Sequence, residues 1–427
     1  MSINPLKERG IPLERQLRNW SELNVTPYDK ESVHPYSRCR GIVANGVEVE
    51  AMFFSHNMAR NTIDPDIRRQ LAVVRRIESQ QQRAVNWLIP GDETTLEVTI
   101  GYEQVAVDLT ARIAQMEPDP YLRQVYEFAL LEDFDHLYLY SNLYELLQGQ
   151  KAERITGQFT EITPGRPTVF EHRDPQDEIR RPMTALAADP KSILHALMVV
   201  SAEQQTINFY NTIGNRYQEP IARALYSEIA EIEEQHVSHY ESILDPTCSW
   251  IENLLFHELS EVWMYYSFME DEPDPRVKAL YELHLNMELT HLQLAAELMR
   301  TVEKRDPEAL LPAFIEPDLK FHENKQYLRS VLERQVDLTA NLSDFVPLAD
   351  APDSHRYFTY QKIVNEGGAP SDAVIQHARN NGGEYRLETE GPHPVQALRR
   401  EEEQDGAELV YERRAGRSQG GRDAFPL

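Results

Sequence analysis

Four segments of the chain carry the same set of potential metal ligands at the same spacing. In each segment a glutamate is followed 30 positions later by a second acidic residue, and a His or Gln stands three positions beyond that. The four sets are Glu48/Glu78/Gln81, Glu103/Asp133/His136, Glu203/Glu233/His236 and Glu258/Glu288/His291. Carboxylates suit hard cations and imidazole suits iron, so the repeated set predicts metal chemistry.

An acidic residue followed by proline divides each of these segments at the same internal place. The four pairs are Asp64-Pro65, Asp119-Pro120, Glu219-Pro220 and Asp274-Pro275. Proline has no N–H and a fixed φ, which suits the first turn of a new helix, so each segment predicts two helices joined by a short turn. The sequence therefore predicts one α-hairpin used four times.

The four hairpins predict an all-α fold of two tandem four-helix bundles, because two hairpins together bury their apolar stripes. The predicted order is an N-terminal segment (1–35), bundle 1 (36–150), a linker (151–188), bundle 2 (189–305), a C-terminal helix (306–345) and an irregular or disordered tail (346–427). The Pro-rich linker is expected to be an ordered connection or a strap across a bundle. The Gly-, Arg- and Glu-rich tail is expected to be disordered or to wrap the surface or a partner subunit, as in a homodimer.

Composition excludes several classes of function. The 43 basic and 70 acidic residues give a net charge of −27, which argues against nucleic acid or an anionic membrane as the main partner. Two cysteines, Cys39 and Cys248, are too few for a disulfide framework or a cysteine-based zinc site. The N-terminus lacks the apolar stretch of a signal peptide, and no apolar run approaches the roughly 18 residues of a membrane span. A soluble, cytoplasmic protein is expected.

The repeated acids of the second predicted bundle lie within apolar helix faces. Residues three, four and seven apart share a face, and Glu203 shares its face with Val199 and Ile207. The acids with the same kind of neighbours are Glu233, Glu258 and Glu288. A buried, unpaired charge is so costly that each must be protonated, ion-paired or metal-bound. His236 and His291 follow one turn on, which favours a pair of divalent cations held by these six residues.

This order of ligands resembles the ferritin-like di-iron carboxylate superfamily. The second half reads Glu203, Glu233-Glu234-Gln235-His236, Glu258 and Glu288-Leu289-Thr290-His291. The family takes a Glu from each of two helices and a Glu-x-x-His from each of the other two. The resemblance covers 189–305 fully and 36–150 as a weaker copy. It implies two iron ions, or manganese or a mixed iron–manganese pair, that react with O2 or peroxide and draw on an external electron donor.

Further residues of the second half point to different branches of this family. His284, one turn before Glu288, is similar to the added histidine of arylamine N-oxygenases, and its alternative is a core histidine bonded to a carboxylate. Glu261, one turn after Glu258, is similar to the extra carboxylate of rubrerythrins, and its alternative is a sideways pair with a helix neighbour. The candidate catalytic residues, which line a cavity or relay an electron unless they are packing aromatics, are Tyr226 and Tyr281.

The first half departs from the family pattern. Gln81 stands where a His is expected, Asp133 is one methylene shorter than Glu, and Arg75 is placed to neutralise Glu78. The weaker candidate ligands are Glu48, Glu78, Glu103, Asp133 and His136. Three alternatives remain for them: a hydrogen-bonded pseudo-site, a weaker mononuclear or altered dinuclear site, and an active second site.

The sequence thus predicts a non-haem di-iron oxidoreductase, an oxygenase or oxidase of a small organic substrate, centred on 189–305. Rubrerythrin-like peroxide reduction is the alternative enzyme, and it needs an external donor because two cysteines cannot build a rubredoxin-like centre. The alternatives from other classes are a non-catalytic metal-buffering or metal-stabilised interaction protein and a metal-free helical scaffold.

Overall fold

Helices dominate the computed structural model, which describes residues 2–415 and Phe425. The helices are α1 (Pro35–Asn61), α2 (Pro65–Asn86), α3 (Thr95–Met116), α4 (Pro120–Gln148), α5 (Glu153–Thr156), α6 (Pro190–Ile213), α7 (Pro220–Glu241), α8 (Trp250–Asp271), α9 (Pro275–Leu298), α10 (Lys325–Gln335), α11 (Arg356–Val364), α12 (Pro370–Asn380) and α13 (Val410–Ala415). Two short strands, β1 (Leu338–Asn341) and β2 (Asp344–Pro347), pair antiparallel. The predominantly helical class agrees with the sequence prediction.

The four acid–proline pairs start helices as expected. Asp64, Asp119 and Asp274 each accept a backbone N–H of the following helix through a side-chain oxygen, which satisfies donors that have no partner within the helix. Helices α3 and α8, which each precede one of these acid–proline pairs, begin with capping boxes. In these boxes Thr94 and Ser249 exchange hydrogen bonds with the glutamate three positions further along the chain. These local signals fix where the long helices begin.

Each long helix packs most extensively on its neighbour in sequence. The resulting pairs are hairpin 1 (α1–α2), hairpin 2 (α3–α4), hairpin 3 (α6–α7) and hairpin 4 (α8–α9). Between hairpins, α3 packs on α6 and α4 on α7, whereas α1 packs on α8. Hairpins 2 and 3 therefore form one group of four helices, and hairpins 1 and 4 form the other. This corrects the predicted pairing of 36–150 within itself and of 189–305 within itself.

The two groups of four helices share one apolar core, which is formed by the first helix of each hairpin (α1, α3, α6 and α8). Helix α1 packs along α6, with α3 and α8 on either side. Val43, Leu109, Leu197 and Leu259 contribute to the same buried cluster from these four helices. The amide of Gln205 on α6 donates to the carbonyl of Ile42 on α1 at 2.8 Å. Sequence-distant hairpins are held together here because the first helices are buried on more than one side.

The predicted C-terminal helix at 306–345 is only partly correct. The helical part is α10, and the chain then turns into the β1–β2 hairpin. Leu342 between the strands adopts a positive φ of 54°, and its N–H donates to Asp177 at 2.6 Å. A left-handed residue cannot continue a helix, so the predicted helix cannot extend through Leu342 to residue 345, and α10 ends at Gln335.

The predicted tail is ordered over most of its described part. It contains α11, α12 and α13, and α12 packs on α4 and α7. Val374 is fully buried, and Ala378, one turn later, is nearly so. The prediction of an irregular or disordered tail is only partly correct, because sparse apolar residues at helical spacing form helices that dock on an existing surface, whereas much of the rest is irregular. Residues 416–424 and 426–427 of this tail lie outside the described residues, as does Met1.

Among the described helices, none combines the length and apolar character that crossing a membrane would require.

The close approach of α1 to α6 can be tested at two glycines of the same helix. A Cβ added to Gly46 would lie 2.9 Å from the backbone oxygen of Ser201 and 2.6 Å from Gln205 Nε2, whereas one added to Gly41 would lie 3.9 Å from Leu88. Gly46→Ala should lower the free energy of unfolding, since overpacking costs about 1–3 kcal/mol and outweighs a helix-propensity gain of about 1 kcal/mol. Gly41→Ala should raise the free energy of unfolding by about that helix-propensity gain, because its Cβ has room. Equal stabilities by urea unfolding would contradict this helix contact.

Candidate metal centres

The predicted ligands come together in two separate buried clusters. Cluster A lies among α3, α4, α6 and α7, and cluster B lies among α1, α2, α8 and α9. Cluster A comprises Glu103, Asp133, His136, Glu203, Glu233 and His236. Cluster B comprises Glu48, Glu78, Glu258, Glu261, Glu288 and His291. Every one of these side chains is at most 3 % exposed.

This grouping corrects the prediction that one complete site forms within 189–305. The ligands expected to converge there are divided, and those in cluster A are Glu203, Glu233 and His236, whereas those in cluster B are Glu258, Glu288 and His291. The weaker copy is divided in the same way between the two clusters. The physical reason is the crossed packing of the hairpins, since each cluster takes one hairpin from each half of the chain.

Cluster A contains two overlapping groups of ligand atoms that share Glu233. One group adds Asp133, Glu203 and His236, the other adds Glu103 and His136, and the ligand atoms of each group lie within 4.8 Å of one another. The Nδ1 atom of His136 is 3.0 Å from Glu233 Oε1, and that of His236 is 3.1 Å from Asp133 Oδ1. Both imidazoles therefore turn Nδ1 inward, and each group holds one of them.

The other ring nitrogen of each histidine meets a carboxylate outside the cluster. His136 Nε2 lies 3.0 Å from Glu171 Oε2, and His236 Nε2 lies 2.9 Å from Glu132 Oε2. Histidines that bind metals usually donate their second N–H to a carboxylate, which fixes the tautomer and the ring orientation. The sequence did not reveal either partner, because Glu171 lies in the linker and Glu132 merely adjoins Asp133.

The linker lies across α4 as a strap and fixes these outer carboxylates. Arg166 Nη1 donates to Glu132 Oε1 at 2.6 Å, and Arg173 Nη1 donates to both oxygens at 2.8 and 3.0 Å. Burial opposes the ionisation of Glu132, but Arg173, His236 and Arg166 together hold its pKa well below its usual range. Glu132 is therefore an anion that accepts from His236.

Several carboxylate oxygens that face cluster A make no hydrogen bond. These atoms are Glu103 Oε2, both oxygens of Asp133, both oxygens of Glu203 and Glu233 Oε2. Burial raises the pKa of Glu103, Asp133 and Glu203. Burial opposes the ionisation of Glu233 as well, but the hydrogen bond from His136 and the nearby His236 hold the pKa of Glu233 below its usual range. Such facing carboxylates need protons or cations between them. Four carboxylates and two imidazoles fit a pair of divalent cations.

Cluster B has a related plan with a different set of ligands. Glu78, Glu258 and His291 form one group within 4.8 Å, and Glu258, Glu261 and Glu288 form a second. Glu258 is the shared carboxylate, as Glu233 is in cluster A. The second group contains no imidazole, which distinguishes it from both groups of cluster A.

Two amides and an arginine complete the surroundings of cluster B. His291 Nδ1 lies 2.7 Å from Glu288 Oε2, and its Nε2 lies 2.7 Å from Gln16 Oε1 in the N-terminal segment. Gln81 donates through Nε2 to Glu288 instead of presenting an imidazole. Arg75, expected to neutralise Glu78, is 3.4 Å from the backbone and side-chain oxygens of Ser55. The two departures noted in the first half, Gln81 and Asp133, thus affect different clusters.

His284 and Glu261 occupy different places around cluster B. The Tyr265 hydroxyl donates to Glu48 Oε1 at 2.5 Å, and His284 Nδ1 lies 3.1 Å from the same hydroxyl. Because the hydroxyl proton is given to Glu48, Nδ1 of His284 carries its own proton in this arrangement. Glu261 lies within the ligand group, and neither of its oxygens has a hydrogen-bond partner.

Tyrosines seven residues after a candidate ligand support both clusters. Tyr210 follows Glu203 and donates to Glu103, just as Tyr265 follows Glu258 and donates to Glu48. Their repeated position after the first glutamate of hairpins 3 and 4 is a sequence signal that could have identified them.

The two tyrosines predicted to be catalytic lie one layer further out. The hydroxyl of Tyr226 is 2.6 Å from Thr99 Oγ1, and its ring centroid is 5.4 Å from that of Tyr210. The buried hydroxyl of Tyr281 has no hydrogen-bond partner, and its ring lies 6.0 Å from that of Tyr265. Each therefore packs behind a tyrosine that bonds a cluster carboxylate.

A comparison of the chain with protein-family models, curated proteins and solved structures found no match in any of the three. The residues of the two clusters and their geometry therefore provide the indications of function.

The metal-free protein should lose stability as the pH rises. Burial raises the pKa of Glu78 to about 7, and burial next to other acids raises the pKa of Glu48, Glu258 and Glu261. A carboxyl group with a raised pKa in the folded state stabilises the fold below its unfolded pKa, and this contribution is lost as the pH rises through the folded pKa. The melting temperature of chelator-treated protein should therefore fall between about pH 5 and about pH 8.

The control for this pH dependence is Glu78→Gln, which removes one titrating carboxyl and should flatten the slope. Added divalent cation should restore the melting temperature at the higher pH, because it replaces the lost protons. A melting temperature of the chelated protein that rises over the same range would contradict the assignment.

Proposed function

We propose that this protein is a non-haem dimetal oxidoreductase built on two ferritin-like four-helix bundles, with its reactive centre in cluster A. The observation that carries the proposal is the pair of ligand groups that share Glu233 and contain one inward-facing imidazole each. Two iron ions, or an iron–manganese pair, would supply the redox chemistry for reaction with O2 or peroxide. The expected activity is that of an oxygenase or oxidase.

The surrounding residues support a centre that controls protons and excludes water. Glu171 and Glu132 hold the N–H protons of His136 and His236 at Nε2, so a cation that takes the place of the proton at Nδ1 would be bound by Nδ1. Tyr210 holds a proton at Glu103, because its hydroxyl donates to that carboxylate and burial keeps the pKa of Tyr210 well above its usual value. The ligands of cluster A are at most 1 % exposed, which keeps bulk water from them.

A surface cavity beside cluster A is the candidate docking place for a small organic substrate or an external electron donor. The cavity has a volume of about 950 Å³, and its lining includes Tyr210, Tyr217 and Tyr226 as well as Arg216 and Arg223. The ring centroids of Tyr217 and Tyr226 are 5.4 Å apart. Because Tyr210 both lines this cavity and bonds Glu103, it connects the cavity to the cluster.

Metal buffering is the second candidate function, and the depth of burial is compatible with it. Ligands that are at most 3 % exposed suit a site that retains its cations as well as one that reacts with O2 or peroxide. The two functions differ in one property, since a buffering protein binds Fe2+ without consuming O2 when a reductant is supplied.

Substitution of the shared glutamate tests the proposed centre. Glu233→Ala should remove about two metal ions per chain and abolish any oxo-bridged ferric absorption band, because Glu233 belongs to both ligand groups of the dimetal site. The measurements are elemental analysis, absorption spectroscopy and O2 uptake by the ferrous protein.

The matched control is Glu288→Ala, which removes the corresponding acid from cluster B and should leave the absorption band and the O2 uptake intact. Unchanged metal content in Glu233→Ala would contradict the dimetal centre. Metal binding without O2 uptake in the unsubstituted protein would favour buffering over catalysis.

A further inference from the structure

The two clusters differ in the atoms that they offer to a cation. Each ligand group of cluster A includes an imidazole, whereas the group of Glu258, Glu261 and Glu288 in cluster B offers carboxylate oxygens alone. Glu48 stands beside this group and is fixed by the Tyr265 hydroxyl at 2.5 Å. Gln81 contacts Glu288 where, in cluster A, His136 contacts Glu233, so cluster B has five carboxylates and a single imidazole.

From this difference we infer that cluster B is a second metal centre, in which the all-carboxylate group binds a hard divalent cation such as Mn2+ while cluster A binds iron. Oxygen ligands suit manganese and magnesium, whereas imidazole shifts the preference toward iron and later transition metals. The inference goes beyond the proposed function, which concerns cluster A.

Unpaired buried oxygens supply an independent reason to place a cation in cluster B. Both oxygens of Glu261 lack a hydrogen-bond partner although this side chain is only 1 % exposed. The Oε2 atoms of Glu48, Glu78 and Glu258 also lack one. Buried carboxylates in this state are costly unless a cation or protons lie between them.

The outer contact of the single histidine adds to the contrast between the clusters. His291 Nε2 faces the neutral amide oxygen of Gln16, whereas the histidines of cluster A face Glu171 and Glu132. A carboxylate partner raises the basicity of a ligating imidazole more than an amide does. His291 is therefore expected to donate electron density to a bound cation less strongly than His136 and His236 do, which again reduces the preference of cluster B for iron.

Metal competition in single-residue variants tests this inference. Chelator-treated protein is loaded without oxygen in a mixture that holds Mn2+ in excess over Fe2+, because any one site binds Fe2+ more tightly than Mn2+ at equal concentration. Free metal is removed, and both elements are measured together with the electron paramagnetic resonance signal of Mn2+. The unsubstituted protein should retain about one Mn2+ per chain beside its iron. Glu261→Gln should lose that Mn2+ and keep its iron, because it removes one anionic ligand from the all-carboxylate group.

Two further variants separate the clusters. Glu103→Gln is the matched control in cluster A and should lose iron while it keeps Mn2+. Gln81→His gives cluster B a second imidazole, so the ratio of manganese to iron should fall, and this substitution adds no buried charge.

Three results would overturn the inference: Mn2+ content that Glu261→Gln leaves unchanged, Mn2+ that is lost only in Glu103→Gln, or a metal ratio unaltered by Gln81→His. The outcome is distinguishable from that of the proposed function. Mn2+ bound in cluster B of a protein that consumes no O2 would contradict the proposed function alone, whereas O2 uptake with iron in both clusters would contradict this inference alone.

Discussion

Carboxylates that face one another in the buried interior are the constraint on which this structure depends. Nine of them lie in two clusters, none more than 3 % exposed, and most present at least one oxygen that no donor reaches. In a medium of low polarity such groups repel one another strongly, and only protons or cations between them can make the arrangement stable. The apolar helix faces around them are therefore compatible with folding only if the clusters are neutralised.

Chain segments outside the hairpins complete the two clusters in similar ways. The linker crosses α4 and brings Glu171 to His136, whereas the N-terminal segment packs along α9 and brings Gln16 to His291. Each segment thus orients an imidazole through its outer nitrogen. The outer partner of the imidazole is a carboxylate in cluster A and an amide in cluster B. The two clusters therefore differ chemically although their helices are arranged in a similar way. The four hairpins supply similar helices, and the clusters differ both through residues within the hairpins, such as Gln81 and Glu261, and through the segments outside them.

The sequence was sufficient for the eight long helices of the hairpins and for the buried residues that form the clusters, because both depend on local spacing. Asp64-Pro65 and its counterparts mark helix starts, and Glu203 is marked by the apolar residues of its own helix face. The pairing of hairpins could not be predicted, since an apolar stripe specifies that a face is buried but not which hairpin covers it. Glu171 and Gln16 were missed for a related reason, because irregular segments carry no periodic pattern that would place them.

The most direct test of this account is a crystal structure of the metal-loaded protein with anomalous scattering data. The crossed pairing of hairpins predicts two anomalous peaks about 3.5–4 Å apart among α3, α4, α6 and α7, both bound by Glu233. A metal pair held jointly by Glu203 and Glu258, or no peak at cluster A, would contradict the account.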